Sequence, residues 1–210
     1  MRKLIITLFF FFFILNSFGQ QTDILENIYT IENNILTKKN LKTNEIYSYK
    51  NDALGDITSI DVSNPFQILI FYKQFNTCEI ISEKFAKKQT INFDNFDIKS
   101  DAICNSSSNG IWIYDDIQQY LINFDLNLQE INFKKHFVAY ASVILIFEQE
   151  NYIVLTTTNK IYILNNLCKI KNSYDVNYKK HTINKNNIMI EDLEGKTYLQ
   201  KNGKLEKTNN

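Results

Sequence analysis

The sequence predicts an all-β chain folded as a small β-propeller of about five degenerate repeats. Three observations carry that reading. Short runs of Ile, Leu, Val, Phe, Tyr and Thr alternate with clusters of Asn, Asp, Lys and Ser. Strand and turn signals recur with a period of about 40 residues, the length of one propeller blade. The clearest strands are apolar on both faces.

The chain opens with Met1-Arg2-Lys3, an apolar run from Leu4 to Leu15 with five consecutive phenylalanines, and then Asn16-Ser17-Phe18-Gly19-Gln20. A charged start, a 12-residue apolar run and small residues at Ser17 and Gly19 predict a signal peptide, 1–19, cleaved before Gln20. The run is short for a membrane span, and the nearest cysteine is Cys78, so neither a transmembrane nor a lipid anchor is expected after cleavage. The expected location is periplasmic or secreted. Loss of Arg2 and Lys3 leaves 21 basic against 23 acidic residues, a net charge of −2. No basic field exists to attract nucleic acid or anionic lipid. No stretch rich in Pro, Gly or Ser marks a linker, so 20–210 is read as one domain.

Gln21 to Ile31 is compatible with a short helix or with extended chain. Beyond it the clearest strands are Phe66 to Tyr72, Gly110 to Tyr114, Tyr152 to Thr157 and Ile188 to Ile190. A second set covers Glu45 to Tyr49, Glu79 to Ser82, Tyr120 to Phe124, Lys160 to Leu164 and Lys196 to Leu199. Each of the second set runs into a polar turn and then an apolar residue, expected to anchor the next strand in the core: Leu54, Phe85, Leu128, Leu167 and Leu205. The first interval between these anchors is short and the other three are close to the repeat length. Units of this length with three or four short strands match propeller blades. Blades bury both faces of a strand, as Ile68 to Tyr72 and Ile111 to Tyr114 require. A β-sandwich or an irregular β-solenoid is the alternative. An outer-membrane barrel needs longer strands with one lipid face, which are not seen.

With Gly and Pro scarce, Asn must carry the turns. Asn202-Gly203 reads as a type I′ pair, with Asn109-Gly110 and Glu194-Gly195 as weaker versions, and Ser63-Asn64-Pro65 closes a strand. Cys78, Cys104 and Cys168 lie far apart without Cys-x-x-Cys spacing; small buried side chains are favoured over a disulfide.

The segment Asp61 to Tyr72, together with Gly110 to Asp115 and Phe124 to Leu128, resembles a poorly characterised family of exported propeller-like proteins of Bacteroidota. That resemblance covers residues 30 to 205. It implies a periplasmic or surface location, no known enzyme activity and no assigned site, and it suggests an accessory or plug subunit of a type 9 secretion translocon.

Motifs for catalysis are few. The two histidines, in Lys135-His136-Phe137 and Lys180-His181-Thr182, lack metal-site spacing and are expected at strand edges. There is no Gly-x-Ser-x-Gly elbow and no phosphate loop; Ser106 to Ser108 reads as a turn. Asp94 with Asp97, Asp115 with Asp116, and Asp125 with Asn127 offer calcium-type oxygens without the order of a calcium loop, and solvated turns are the simpler reading. Trp112, the single tryptophan, is expected to pack between blades. No catalytic, cofactor-binding or metal residue is assigned, no cofactor is expected, and the interaction surface is unknown. The expected role is a non-enzymatic protein-interaction or scaffold module of the cell envelope, its partner an envelope protein such as a type 9 translocon component. A lectin-like or small-ligand-binding propeller is the alternative, and a carboxylate-dependent hydrolase the remaining one.

Overall fold

The computed structural model describes residues 20–208. The predicted signal peptide, 1–19, lies outside the described residues. Twenty strands form five consecutive four-stranded antiparallel meanders. The first comprises β1 (Gln21–Thr22), β2 (Asn27–Glu32), β3 (Ile35–Asn40) and β4 (Ile46–Tyr49). The second comprises β5 (Ser59–Asp61), β6 (Ile68–Tyr72), β7 (Thr77–Ile81) and β8 (Lys87–Asn92). In the third are β9 (Ser100–Ser106), β10 (Gly110–Asp115), β11 (Tyr120–Asp125) and β12 (Glu130–His136). β13 (Val143–Gln149), β14 (Tyr152–Thr157), β15 (Lys160–Asn165) and β16 (Ile170–Asp175) make the fourth. The fifth comprises β17 (Tyr178–Asn184), β18 (Asn187–Asp192), β19 (Thr197–Lys201) and β20 (Lys204–Thr208). This is a β-propeller arrangement, and the sandwich and solenoid alternatives are not adopted.

The short helix allowed for Gln21 to Ile31 is absent; β1 and β2 occupy that stretch. Asp23, fully buried, is the reason. Its carboxylate accepts the backbone N–H groups of Leu25 and Asn27, both at 2.9 Å, the Asn27 amide at 2.7 Å and the Tyr29 hydroxyl at 2.9 Å. Those contacts fold residues 23–26 into a tight turn and take up N–H groups that a helix would need. Elsewhere Asn supplies the left-handed backbone, as expected: Asn33, Asn34, Asn109, Asn186 and Asn202 all have positive φ. In the β19–β20 hairpin Asn202 (φ 50°) is followed by Gly203 (φ 74°), the signature of a type I′ turn. A Cβ on Gly203 would lie 2.5 Å from the Tyr152 ring, so no other residue fits there without displacing it.

Four apolar cores separate successive meanders. Leu36, Ile60, Ile70 and Phe85 join the first to the second; Phe71, Phe93, Ile111 and Phe124 the second to the third. Trp112, Leu121, Ile146 and Leu155 join the third to the fourth, and Phe147, Ile163, Ile188 and Ile190 the fourth to the fifth. Every residue of β6, β7 and β10 is buried, as two-sided packing demands. Each such large side chain contributes about 1.5–3 kcal/mol.

Among the described residues no apolar cluster joins the fifth meander to the first. They share an eight-stranded sheet through the parallel bridge of Thr22 with Asn184, a Lys185 N–H to Thr22 carbonyl bond of 2.9 Å and a Lys185–Glu26 ion pair of 2.9 Å. The seam is therefore polar and short.

The three cysteines are buried and free, and burial pushes their thiols above the usual range. One core position is poorly matched. Gln200 is 1% exposed, and neither polar atom of its side chain has a partner among the described residues. Gln200→Met is expected to raise stability by about 1–2 kcal/mol, a thermal midpoint about 3–6 °C higher. A lower midpoint in a melting experiment would show that the amide holds a stabilising bond.

Candidate functional site

Strands in a meander alternate in direction, so the connections from first to second strand and from third to fourth emerge at the same end. The inner strands β1 and β17 are parallel. The starts of the inner strands line one cavity, and the ends with the loops that follow them line a second cleft. The ring thus has two distinct ends.

The central cavity, about 540 Å³, is lined by residues 58–61, 101–103, 144–147 and 178–183 together with Gln21, Tyr29 and Ile31. Its wall is largely aliphatic, and its lysines and Asp101 are paired. Lys179 and Lys180 both reach Glu191, at 2.6 and 3.1 Å, and Asp101 pairs with Lys73. Here the expectation of two histidines at strand edges needs correcting. His136 does end the outer strand β12, exposed. His181 instead sits mid-way along the inner strand β17 in the cavity wall, its Nδ1 2.8 Å from the Tyr178 hydroxyl. A register shift between Tyr178 and Lys180 breaks the regular alternation of the strand, so two exposed lysines follow one another before the partly buried His181. Burial lowers the His181 pKa to about 4, leaving the ring neutral near pH 7.

At the opposite end the second cleft, about 320 Å³, is lined by polar side chains including Ser63, Asn64, Asn105, Ser107, Glu148, Gln149, Glu150 and Asn186. Asp61 braces its floor by accepting the N–H groups of Ser63 and Asn105, each at 2.7 Å. Glu148 accepts the Ser107 N–H at 3.0 Å, the Ser107 hydroxyl at 2.5 Å and the Trp112 indole N–H at 2.8 Å. Trp112 is itself 5% exposed and meets Phe133 edge-on, so it packs between meanders as expected.

Around this cleft the third-to-fourth-strand turns correct a second expectation. Of the five presumed core anchors only Phe85 is buried; Leu54 and Leu205 are half-buried, while Leu128 and Leu167 are 68% and 56% exposed. The side chains that fill the core at those turns are Leu126 and Cys168. Local hydrogen bonds explain this. Asp125 accepts the N–H groups of Asn127 and Leu128, and Asn165 those of Leu167 and Lys169, which tips each leucine outward. Leu54 follows a fourth strand and is out of step; the equivalent turn of the first meander carries Leu41, also exposed at 51%. Leu41, Leu128 and Leu167 therefore decorate one end of the ring, together with the exposed Ile24 and Phe66 of the inner hairpins.

The carboxylates singled out for calcium are occupied by turns. Asp94 accepts from Lys99 at 2.5 Å and Asn76 at 2.6 Å, Asp97 ends a 3-10 turn in the left-handed region, and Asp115 accepts the N–H groups of Lys99 and Gln118. Among the described residues no three His, Cys, Asp or Glu side chains converge as a metal site.

No protein-family model and no curated protein matches the sequence. Solved structures do match in fold. Virginiamycin B lyase of Staphylococcus aureus, in a catalytically inactive form with quinupristin, superposes with TM-score 0.66 at 13% identity over 91% of this chain and 69% of that one. The Pan2 WD40 domain of Neurospora crassa gives 0.63 at 10% identity, over 90% of this chain and 64% of that chain. PorZ, a surface component of the type IX secretion system of Porphyromonas gingivalis, gives 0.54 at 14% identity, over 91% of this chain and 27% of PorZ. The fold is that of the β-propellers.

These likenesses overturn the expectation that the chain is not an enzyme, because the same fold serves a lyase. Missing sequence motifs are no ground for excluding catalysis on such a scaffold, where reacting groups meet only in space. At 13% identity the likeness is of fold alone and transfers no activity.

Proposed function

We propose that the chain is a protein-binding propeller of the cell envelope that serves the type 9 secretion machinery, docking its partner on the end of the ring where the inner strands finish. The observation that carries this reading is the set of exposed leucines at equivalent turns, Leu41, Leu128 and Leu167. Exposed apolar side chains repeated at one end of a rigid ring are what a docking surface needs, and nothing in local turn chemistry requires leucine there. The likeness to PorZ, the resemblance to exported propeller-like proteins of Bacteroidota, and the signal peptide predicted from residues 1–19 support an envelope setting, periplasmic or at the surface. The central cavity favours a second reading, small-ligand binding.

The test compares the tagged protein with its L41S/L128S/L167S variant after purification from the host envelope. The wild type is expected to co-elute with a component of the secretion machinery and the variant to lose at least about tenfold of it, with an unchanged melting midpoint, because exposed substitutions shift stability by only about 0.5 kcal/mol each. Recovery of the wild type as a free monomer, or equal co-elution of both, would overturn the reading. Saturable glycan or small-molecule binding by that monomer would favour the central cavity.

A further inference from the structure

We infer that the central cavity is a binding site for a small amphiphilic anion, an aliphatic chain ending in a carboxylate. The cavity lies at the other end of the ring from Leu41, Leu128 and Leu167, so this site is separate from the docking surface. Strand irregularities shape it. In three successive inner strands the second residue has no partner across the ladder: Asp101 in β9, Ile144 in β13 and Lys179 in β17. Bulges of this kind re-aim a side chain, and all three residues line the cavity. What those side chains carry decides what the cavity can hold.

On the charged side, the carboxylates are spoken for and a positive charge is left over. Asp101 is cancelled by Lys73, and Asp61, the other carboxylate of the lining, takes up the N–H groups of Ser63 and Asn105. Lys179 and Lys180 share the single carboxylate of Glu191 at 2.6 and 3.1 Å, and both stay exposed. Beside them His181 keeps part of its surface open. Its Nδ1 meets the Tyr178 hydroxyl, while among the described residues Nε2 has no partner and is not one of the enclosed polar atoms. A carboxylate at Nε2 selects the tautomer in which Tyr178 donates to Nδ1 and Nε2–H donates to the ligand.

Next to this basic wall the fourth meander offers an apolar one. Ile144 is 37% exposed although it stands on an inner strand, and Leu145 and Ile31 of the same lining are half-buried. An aliphatic chain laid over these side chains removes their surface from water. At about 540 Å³ the cavity falls within the range of small-molecule sites, which pair an apolar wall with a few placed polar groups. A sugar is a poorer match. Tyr29 and Phe147 are fully buried behind the wall, and Tyr178 packs on the core between the fourth and fifth meanders, so the lining lacks an open aromatic platform.

Isothermal titration of the protein with octanoate, butanoate, octan-1-ol and octylammonium tests the site. Octanoate is expected to bind saturably at one site, about a hundredfold tighter than butanoate, because each buried CH₂ is worth about three- to fourfold in affinity. Octanol is expected to bind at least about tenfold more weakly than octanoate, and octylammonium not at all. Lys180→Gln removes the surplus charge and keeps the shorter Lys179–Glu191 pair, so it should weaken octanoate about tenfold with the melting midpoint unchanged. Ile144→Ser should weaken octanoate and octanol alike. Octanol or octylammonium binding as tightly as octanoate, full affinity in Lys180→Gln, or no heat at millimolar octanoate would overturn the inference. The protein is expected to stay behind when phosphatidylglycerol vesicles are floated, which marks the ligand as a free acid; flotation with no response to octanoate would equally defeat the cavity site. The L41S/L128S/L167S variant should bind octanoate as the wild type does, so the docking surface and the cavity stand or fall separately.

Discussion

Replacing Glu79 by alanine is expected to destabilise the protein by about 3–5 kcal/mol, lowering the melting midpoint by roughly 10 °C or more. Glu79 lies in the middle of β7 with no solvent exposure. It accepts the Tyr49 hydroxyl at 2.8 Å and the Asn51 amide at 2.9 Å, with Lys87 3.6 Å away. Tyr49 and Asn51 belong to the end of the first meander, so this carboxylate ties the first two meanders together beside their shared apolar core. Truncation leaves the Tyr49 and Asn51 donors without their acceptor in a largely desolvated place, whereas the half-exposed Lys87 can turn to water, and the penalty on those two donors, more than the lost attraction, sets the size of the effect. The same contact holds the Tyr49 phenol in its neutral form, through burial and then the neighbouring carboxylate. Glu79→Gln keeps the shape and one acceptor, and its loss should be about half as large. Urea unfolding of both variants checks the pair. A loss under about 1 kcal/mol for the alanine variant would mean that water replaces the carboxylate.

Glu79 also shows where the sequence stops being legible. Strand positions, the Asn-based turns and burial on both faces follow from local patterns, and β14 falls on the predicted Tyr152 to Thr157. A glutamate between Cys78 and Ile80 reads locally as the wet position of a strand; its partners stand 28 and 30 residues away and no local pattern announces them. The same limit explains the misplaced anchors. An apolar residue after a polar turn looks like the start of a buried strand, but Asp125 and Asn165 capture the following N–H groups and rotate Leu128 and Leu167 to the surface. The repeat length was visible because each unit is one meander, while its phase was not: Leu54 and Leu128 follow different strands of their units. Of the candidate site, the pieces Ser63-Asn64 and Ser106 to Ser108 were visible only as turns, and Asn186 carried no signal of its own. Their convergence on Glu148 depends on the ends of inner strands meeting around the ring, which no single unit encodes.

Acidification is expected to weaken the protein through His181. In the unfolded chain this imidazole takes up a proton near pH 6.5, whereas in the cavity wall burial lowers its pKa to about 4. Above pH 6.5 neither state is protonated, and the residue adds no pH dependence. Between pH 6.5 and 4 the unfolded state binds a proton that the native state refuses, so stability falls as pH falls; below pH 4 both states bind it and the contribution is flat. The groups facing the ring do not reverse this sign: Tyr178 is neutral and accepts or donates across 2.8 Å, while Lys179 and Lys180 share the single carboxylate of Glu191 at 2.6 and 3.1 Å, and the positive charge left over disfavours an imidazolium as burial does. The loss reaches about 2 kcal/mol by pH 5 and about 3 kcal/mol by pH 4. Carboxylates elsewhere also respond to acid, so the informative quantity is the difference between the wild type and His181→Asn, whose side chain can keep a bond to Tyr178 without titrating. Urea unfolding curves for the two should run parallel above pH 7 and diverge below pH 6.5, the variant losing about 2 kcal/mol less by pH 5. Parallel curves down to pH 4 would instead mean that the native cavity admits the proton, with the imidazolium stabilised by Glu191 and the central cavity open to water.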